Sequence, residues 1–404
     1  MDLPDDCVNV IDDSQSDNST TIMDLPDDCL VFIFKRLSDE RDREVFGLTC
    51  TRWLDIQNRN RKSLQFDCSI TYTRQLSRKP HKIDKHDLHR ALSRFPYLRS
   101  LSLSGCTELP DSGLKLLQSF GSSLRALHLD CCFEITDNGL SFVASGCPLL
   151  IYISLYRCNI TDVGLKNLAK SCLGLEDVNL MYCLGITDHG INGLVQNCAH
   201  LYGIRISNCR GIKGVGFHGC SQTLAYLEAE SCKLEPEGIA SMVSGGGLEY
   251  LNISNLSWSI RGDGLSAIGG GFAKMLRVLN MRLCRMIRDE GVALIAKGCP
   301  SLVEWNLALC HEIRVAGWES IALNCHNLER LHVNRCRNLC DRGLEALKNG
   351  CKKLTVLYMN GCPQISTLAI ELFRLSRGDS IKEEEILTIG PKWQFWWHQR
   401  IYME

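Results

Sequence analysis

The sequence predicts an elongated α/β repeat array, in which a parallel sheet forms one face and a row of helices the other, preceded by a small helical unit. Three observations predict it. A short strand-like apolar segment recurs at nearly constant spacing, almost every copy ends in cysteine, and a turn and a helix-like segment follow most copies. The chain of 404 residues is 45% hydrophobic and 23% charged, which is typical of an ordered protein rather than a disordered, collagen-like or coiled-coil one.

Charge and hydropathy narrow the classes of partner. The 45 Lys and Arg nearly balance the 46 Asp and Glu, so neither nucleic acid nor a membrane is predicted as the main partner. The longest apolar run, residues 29–34, is far shorter than the roughly 20 residues that span a bilayer. The first 22 residues contain Asp but no Lys or Arg, unlike a secretory signal. We therefore expect the protein in the nucleus, the cytoplasm or both.

The strand-like segment has the form Leu-x-x-Leu-x-Leu-x-x-Cys. Its eleven copies end at Cys106, Cys132, Cys158, Cys183, Cys209, Cys232, Leu256, Cys284, Cys310, Cys336 and Cys362. Ten intervals over the 256 residues from Cys106 to Cys362 give about 25.6 residues a repeat, within the range of leucine-rich repeats. The sequence therefore predicts a leucine-rich-repeat solenoid, or horseshoe, with a parallel concave sheet and convex helices.

Each predicted helix follows a turn that contains Thr-Asp or a looser form of it. The clearest copies begin at Ile135, Ile160 and Ile186. Thr and Asp are both good helix N-caps, and the apolar residues after them recur three and four apart, which predicts one buried helical stripe. The glycine runs 245–247 and 269–271 interrupt this pattern, so we expect irregular curvature there.

Ten strand-end positions and seven positions that precede the next strand account for 17 of the 23 cysteines. They are predicted to be packing residues, because Cys is small and readily buried. A zinc site needs two close pairs of ligands, and only Cys336 and Cys340 approach the spacing of one. A catalytic thiol needs a positioned base, whereas Cys310-His311 and Cys325-His326 are merely neighbours in a repeated turn. We therefore predict no metal, no cofactor and no catalytic residue, and we expect the protein not to be an enzyme.

These residues resemble the cysteine-containing leucine-rich-repeat family over residues 95–377. Ahead of them, residues 23–62 contain apolar residues at helical spacing after a Leu-Pro start. A unit of this length is too short to bury its apolar surface alone, so we predict a docking module that binds a partner. The alternative is a helical cap that seals the first repeat. The segment resembles an F-box, the motif that binds the Skp adaptor of cullin ubiquitin ligases, through Leu25, Pro26, Leu30, Ile33, Phe34, Leu37, Leu48, Cys50, Arg52 and Trp53.

An F-box followed by these repeats resembles the F-box/leucine-rich-repeat proteins of the shorter plant and animal type. The resemblance implies a substrate-recognition subunit of a Skp-cullin-F-box ubiquitin ligase, which recruits a client protein for ubiquitination and proteasomal degradation. It also implies the adaptor-binding residues Leu25, Pro26, Leu30, Ile33, Phe34, Leu37, Leu48 and Trp53, with Trp53 helping to hold the helices together. The alternatives are a non-degradative interaction scaffold and, third, a ligand-gated receptor of the hormone type.

The concave face is the expected client site, because strand alternation sends the residues between the core leucines to that face. Tyr and Arg are good anchors, and Glu adds charge selection. The predicted client-binding residues are Tyr152, Tyr156, Arg205, Glu228, Glu230, Arg282, Glu304, Arg330 and Tyr358. Any one of them is equally well explained as a solvated polar residue.

Three further segments complete the predicted organisation. Residues 1–22 are predicted to be a disordered acidic extension, and residues 63–94 an irregular capping repeat with a long loop. Residues 378–404 form a cap or tail that contains the aromatic cluster Trp393, Phe395, Trp396 and Trp397. This cluster is either the buried part of a terminal cap or an exposed anchor for a partner.

Overall fold

The computed structural model describes residues 22–37, 39–66, 68, 83–256 and 262–390. In these residues, thirteen parallel strands follow one another in chain order across a single sheet. The strands are β1 (Ser63–Gln65), β2 (Ser100–Ser102), β3 (Ala126–His128), β4 (Tyr152–Ser154), β5 (Asp177–Asn179), β6 (Gly203–Arg205), β7 (Tyr226–Glu228), β8 (Tyr250–Asn252), β9 (Val278–Asn280), β10 (Glu304–Asn306), β11 (Arg330–His332), β12 (Val356–Tyr358) and β13 (Ile381–Lys382). The predicted parallel solenoid is confirmed.

The first three helices precede β1, and the later helices connect most successive strands and form the convex layer. They are α1 (Asp27–Arg36), α2 (Glu40–Leu48), α3 (Thr51–Asn60), α4 (Lys85–Arg94), α5 (Asp111–Leu114), α6 (Leu117–Phe120), α7 (Asp137–Gly146), α8 (Asp162–Ser171), α9 (Asp188–Asn197), α10 (Pro236–Val243), α11 (Gly262–Leu265), α12 (Asp289–Gly298), α13 (Val315–Asn324), α14 (Asp341–Gly350) and α15 (Thr367–Arg377). Short 3₁₀ turns lie at Ile22–Asp24, Val215–Phe217 and Ser266–Gly269. Within the described residues, no helix is long and apolar enough to span a membrane.

The core is one continuous layer between the sheet and the helices. The central residue of each strand stands in register with that of its neighbours, as in Leu279, Trp305 and Leu331, and all three are fully buried. Since each repeat contacts mainly the repeats beside it, the array gains a longer core with every copy.

The strand-end cysteines connect each repeat to the one before it. The Sγ atoms of Cys132, Cys158 and Cys183 donate to the carbonyl oxygens of Leu103, Leu129 and Leu155, over 3.2, 3.0 and 3.0 Å. Burial raises the pKa of Cys132 and of Cys183 to about 12 and also raises that of Cys158, so these thiols are poor nucleophiles. The predicted packing role explains why a small, weakly donating side chain recurs at this turn.

The Thr-Asp turn performs two different tasks rather than one. Thr161 is the N-cap of α8, because its hydroxyl oxygen accepts a bond from the backbone N–H of Val163 over 3.3 Å. The aspartate is instead the first residue of its helix. The carboxylate of Asp137, at the start of α7, accepts bonds from the backbone N–H and hydroxyl of Thr161 over 2.8 and 2.5 Å. The prediction that both residues cap is therefore corrected: Thr caps, and Asp joins its helix to the next repeat.

The convex layer is irregular where the sequence is rich in glycine. Helix α10 ends at Val243, and α11 has only four residues before a 3₁₀ turn. A β-carbon added at Gly269 would collide with the backbone of Leu294, and one at Gly298 with the backbone of Gly269. Glycine is needed here because adjacent helix ends approach too closely for a side chain.

The helical unit α1–α3 connects directly to the array. Helix α3 ends at Asn60, β1 begins at Ser63 and pairs with β2, and the side chain of Asn58 accepts a bond of 2.9 Å from Arg94 of α4. The carbonyl oxygen of Lys62 accepts bonds from the backbone of the segment that leads into β2. The unit is therefore held in a fixed position at one end of the sheet.

Two predicted segments fall wholly or mostly outside the described residues. They are the acidic extension, of which only Ile22 is described, and the aromatic cluster of Trp393, Phe395, Trp396 and Trp397. The loop of the predicted capping repeat also lies largely outside them, whereas its strand β1 and helix α4 are described.

Candidate functional site

The helical unit has its own aromatic core. Phe46 stacks on Trp53 with ring centroids 4.4 Å apart, and Phe34 lies 5.2 Å from Phe46. Leu30 and Ile56 complete this cluster, which is separate from the core of the array. Offset aromatic contacts of this kind stabilise a small unit beyond the burial of their area.

The core divides the residues expected to bind the adaptor into two groups. Leu30, Phe34 and Trp53 are buried in the unit, so they hold the helices together and offer no surface to a partner. The remaining predicted residues are half-buried or exposed, namely Leu25, Pro26, Ile33, Leu37 and Leu48. A direct contact with an adaptor therefore remains a prediction only for this second group.

The end of α2 presents apolar side chains to solvent. Leu48 is 82% exposed and Val45 is 61% exposed, and their spacing of three places them on the same face of the helix. Near the start of α1, the guanidinium of Arg52 donates to the carbonyl oxygen of Leu25 and to the carboxylate of Asp27, over 2.7 Å each. These bonds hold the Leu-Pro start of α1 against α3.

The amino-terminal half of the concave face contains a polar network around Asp130. Its carboxylate accepts bonds from the hydroxyls of Ser104 and Ser154 and from the backbone N–H of Tyr156, the first and last over 3.1 and 3.2 Å. Tyr156 is half-buried and contacts Tyr182 edge-on. Of the predicted anchors in this half, Tyr156 is accessible, whereas Tyr152 is only 8% exposed.

The centre of the face holds a buried ion pair. The guanidinium of Arg205 lies 2.7 Å from the carboxylate of Asp177, and their side chains are 13% and 0% exposed. Burial alone would lower the pKa of Arg205, but the charge of Asp177 and its acidic neighbours raises it. Predicted as a client anchor, Arg205 is instead largely engaged within the fold.

Beside this pair, two tyrosines and two glutamates form a compact group. Tyr226 and Tyr250 stack in parallel with centroids 4.2 Å apart, and the Tyr226 hydroxyl donates to Glu228 over 2.7 Å. Burial and the neighbouring Glu228 raise the pKa of Glu230. Glu228 and Glu230 are half-buried, so both predicted residues retain accessible surface.

Further along, Glu304 is enclosed by bases. Its carboxylate lies 2.8 Å from Nε2 of His332 and 3.1 Å from the guanidinium of Arg330. Although burial opposes it, these hydrogen bonds lower the pKa of Glu304. His332 stacks on Tyr358 with centroids 4.3 Å apart. Glu304 is therefore buried, whereas Arg330 and Tyr358 keep part of their surface.

The chain after β13 crosses back over the carboxyl-terminal half of the concave face. We call residues 383–390 the strap. The side-chain amides of Asn360, Asn334 and Asn306 donate to the carbonyl oxygens of Glu383, Glu384 and Ile386, over 3.3, 2.9 and 3.5 Å. The strap reaches β8 at Gly390, where a β-carbon would collide with the ring of Tyr250.

Arginines on the concave side bind the strap through Glu385. Its carboxylate lies 2.8 Å from the guanidinium of Arg282 and 3.4 Å from that of Arg335. The hydrogen bond from Arg282 is the main reason that the pKa of Glu385 is lowered. The predicted anchor Arg282 is thus occupied by the chain's own carboxyl-terminal segment.

A groove of about 1060 Å³ lies next to Arg335, along the edge where β9–β12 end. Its lining includes Arg285, His311, Arg335 and Arg337. Burial and the charges of Arg337 and Arg285 lower the pKa of His311. Arg335 lines this groove and also contacts Glu385 of the strap, so the basic side chains extend from the concave face to this edge of the sheet.

The sequence prediction missed the strap and the asparagines that hold it. Two signals were available: the acidic run 383–385, and asparagines at successive strand ends, Asn334 and Asn360. Neither signal states that the tail folds back, because only the structure brings residues about one hundred positions apart, Arg282 and Glu385, into contact.

The chain is similar to a described repeat family and to a curated relative. The family described as Leucine Rich repeat matches residues 273–296 and 324–348. The chain is 57% identical over 390 residues to F-box/LRR-repeat protein 12 of Arabidopsis thaliana, which covers 95% of this chain and 99% of the relative.

Two solved structures are also similar. The yeast complex of Rad7 and Elc1 aligns with a TM-score of 0.43 and 19% identity, over 85% of this chain and 90% of that one. An internalin of Listeria monocytogenes aligns with a TM-score of 0.49 and 19% identity, over 66% and 69%.

The fold and the two surfaces define a leucine-rich-repeat protein with an aromatic-cored helical unit fixed to the first strand. With the extent and identity of the Arabidopsis match, the chain belongs to the family of F-box/LRR-repeat proteins.

Proposed function

We propose that this chain is the substrate receptor of a cullin-type ubiquitin ligase, with α1–α3 binding a Skp-type adaptor and the concave face binding a client. The observation that carries the proposal is the exposed apolar end of α2, with Leu48 82% and Val45 61% exposed on a unit that already has its own core. Two exposed apolar side chains on one helix face, on a unit whose other apolar residues are packed in a core, favour a protein partner. In the family to which the chain belongs, the expected partner is the adaptor, and through it a cullin.

The fixed junction between the helical unit and the sheet supports separate binding sites for the adaptor and the client. Because α3 leads into β1 and the unit is bonded to α4 and to the segment before β2, an adaptor on α2 and a client on the sheet would keep a constant separation. Such a receptor acts by raising the effective concentration of client lysines near a charged enzyme. The degradation of that client by the proteasome follows as part of the same proposal.

The cysteines support a receptor without catalysis of its own. Burial raises the pKa of Cys310 and of Cys325, and a protonated thiol is a weak nucleophile. We place the activity in the nucleus, the cytoplasm or both.

The accessible concave residues are the proposed client contacts. In the half that the strap leaves open, they are Tyr156, Glu228 and Glu230. Arg330 and Tyr358 lie further along, beyond the buried Glu304. Tyrosine offers a large contact area at low entropic cost, and arginine is enriched among the residues that dominate binding energy at interfaces.

A Leu48→Glu substitution is expected to weaken adaptor binding by on the order of thirtyfold, since it removes an apolar contact and introduces a charge at the proposed interface. The measurement is titration calorimetry of the purified full chain with a purified Skp-type adaptor. Leu323→Glu on α13 is the matched control, because Leu323 is a helix leucine that is 71% exposed on the array. It is expected to bind like the wild type.

Two results would contradict the proposal. One is equal affinity of the wild-type and Leu48→Glu chains for the adaptor, which would remove α2 from the interface. The other is no measurable binding by the wild type, which would leave the helical unit as a cap on the first repeat.

A further inference from the structure

The strap is held mainly in a way that does not depend on its sequence. Three asparagine amides donate to its backbone carbonyl oxygens at residues 383, 384 and 386. Since every extended chain presents such carbonyls, the same donors can hold a different segment. The asparagines come from β10 and from the residues after β11 and β12, so the donors cross three neighbouring strands diagonally.

Two strap positions contact the face through their side chains. Glu385 lies between Arg282 and Arg335, and Ile389 is only 4% exposed. By contrast, the side chains of Glu383 and Glu384 are exposed, and Leu387 is 62% exposed. The concave face therefore binds the carboxylate of Glu385 and, four residues later, covers the apolar side chain of Ile389.

The strap is also attached weakly compared with the strands. Strands β2–β11 each pair over three residues on both sides, whereas β13 pairs over two residues with β12 alone. Beyond Lys382, the hydrogen bonds and ion pairs between the strap and the sheet are the side-chain bonds described above, with no backbone pairing among them in the described residues. Such a segment is at the low-stability end of the fold, from which mobile elements are drawn.

We propose that the carboxyl-terminal half of the concave face is a peptide-binding groove, that the strap is its internal ligand, and that a client enters by displacing the strap. The client segment that fits is extended and carries a Glu or Asp followed by an apolar residue four positions later. This proposal rests on the proposed function for the identity of the ligand as a client, but the groove itself can be tested without an adaptor.

The test uses a fluorescein-labelled peptide with the sequence of residues 381–390, IKEEEILTIG, and the purified full chain. In a Glu385→Ala variant, the internal strap loses its bond to Arg282, so it competes less well with the added peptide. A tethered segment competes at an effective concentration in the millimolar range, and a charge-assisted bond is among the stronger contacts available to it. We therefore expect a peptide Kd at least tenfold lower for Glu385→Ala than for the wild type, by fluorescence anisotropy.

Controls separate the groove from general charge effects. Glu383→Ala removes an exposed carboxylate and is expected to bind the peptide as weakly as the wild type. Adding Arg282→Ala to Glu385→Ala should abolish the gain, as should a peptide with Ala at the position of Glu385. Circular dichroism melting checks that each variant is folded.

Equal Kd values for the wild type and Glu385→Ala, or no binding to either, would overturn the proposal and make the strap a fixed part of the fold. Adaptor binding is measured on the same preparations. If the adaptor binds but the peptide does not, the groove proposal fails and the proposed function stands. If the peptide binds as expected but the adaptor does not, the groove stands and the ligase role fails.

Discussion

An Arg205→Ala variant is expected to lose about 3–5 kcal/mol of its free energy of unfolding, because it leaves the carboxylate of Asp177 buried without its guanidinium. The Asp177 side chain is 0% exposed and lies 2.7 Å from Arg205, so the folded chain holds a desolvated carboxylate whose charge this guanidinium balances. The measurement is urea unfolding followed by circular dichroism.

Two further variants show whether the loss of stability comes from leaving the charge of Asp177 without that of Arg205. Arg210→Ala, at an exposed arginine in the turn after β6, should change stability by less than about 0.5 kcal/mol. Asp177→Asn added to Arg205→Ala should recover part of the loss, because it removes the buried charge. If Arg205→Ala is as stable as Arg210→Ala, the ion pair does not contribute as described.

The second large effect is expected at Trp305, whose replacement by Ala should cost about 3–5 kcal/mol through the cavity that it leaves. Trp305 is fully buried in the middle of β10 and stands in register with Leu279 and Leu331. Urea unfolding monitored by circular dichroism is again the measurement. Since repeats contact mainly their neighbours, the loss should appear first in the carboxyl-terminal repeats.

Trp305→Leu is the matched control. The neighbouring strands have leucine at this register, and in the described residues the indole N–H of Trp305 is buried with no hydrogen-bond partner. Leucine therefore fits the site and removes an unsatisfied donor, so the loss should be well below that of Trp305→Ala. Equal losses for the two variants would mean that the volume of the tryptophan is not what stabilises β10.

Much of the array could be predicted because every repeat has the same local sequence pattern. A Leu-x-x-Leu-x-Leu pattern specifies which side of a strand is buried, and eleven copies make the periodicity unmistakable. The recurrence of Cys at the strand end follows from the bond that each thiol makes to the preceding repeat, as Cys158 does to Leu129. The division of roles in the turn, with Thr161 as the cap and Asp137 as the bond to the next repeat, could not be predicted, since both residue types are favoured N-caps.

The candidate site was less predictable because exposure on a concave sheet depends on what lies across it. Alternation correctly places Arg205, Glu304 and Arg282 on the concave side. It does not state that Asp177 and His332 would enclose the first two, or that the strap would cover the third. In the helical unit, spacing identifies the apolar residues but does not separate the buried Phe34 from the exposed Leu48. Contacts between residues far apart in the sequence determine which concave residues are covered and which apolar residues of the helical unit are buried.

The central claim is that one chain couples an adaptor on α2 to a client on the array, and client lifetime tests it most directly. Leu48→Glu is the suitable variant, because a side chain that is 82% exposed contributes little to folding, whereas Leu25 and Ile33 pack against the core of the unit. Tagged wild-type and variant chains are purified from proteasome-inhibited cells, and the lifetimes of the proteins that both retain are then measured without the inhibitor. We predict that the variant loses the adaptor and cullin but keeps at least one partner, which becomes longer-lived when the variant replaces the wild type. If the adaptor is lost while every retained partner keeps its lifetime, the chain is a non-degradative scaffold and the account is wrong.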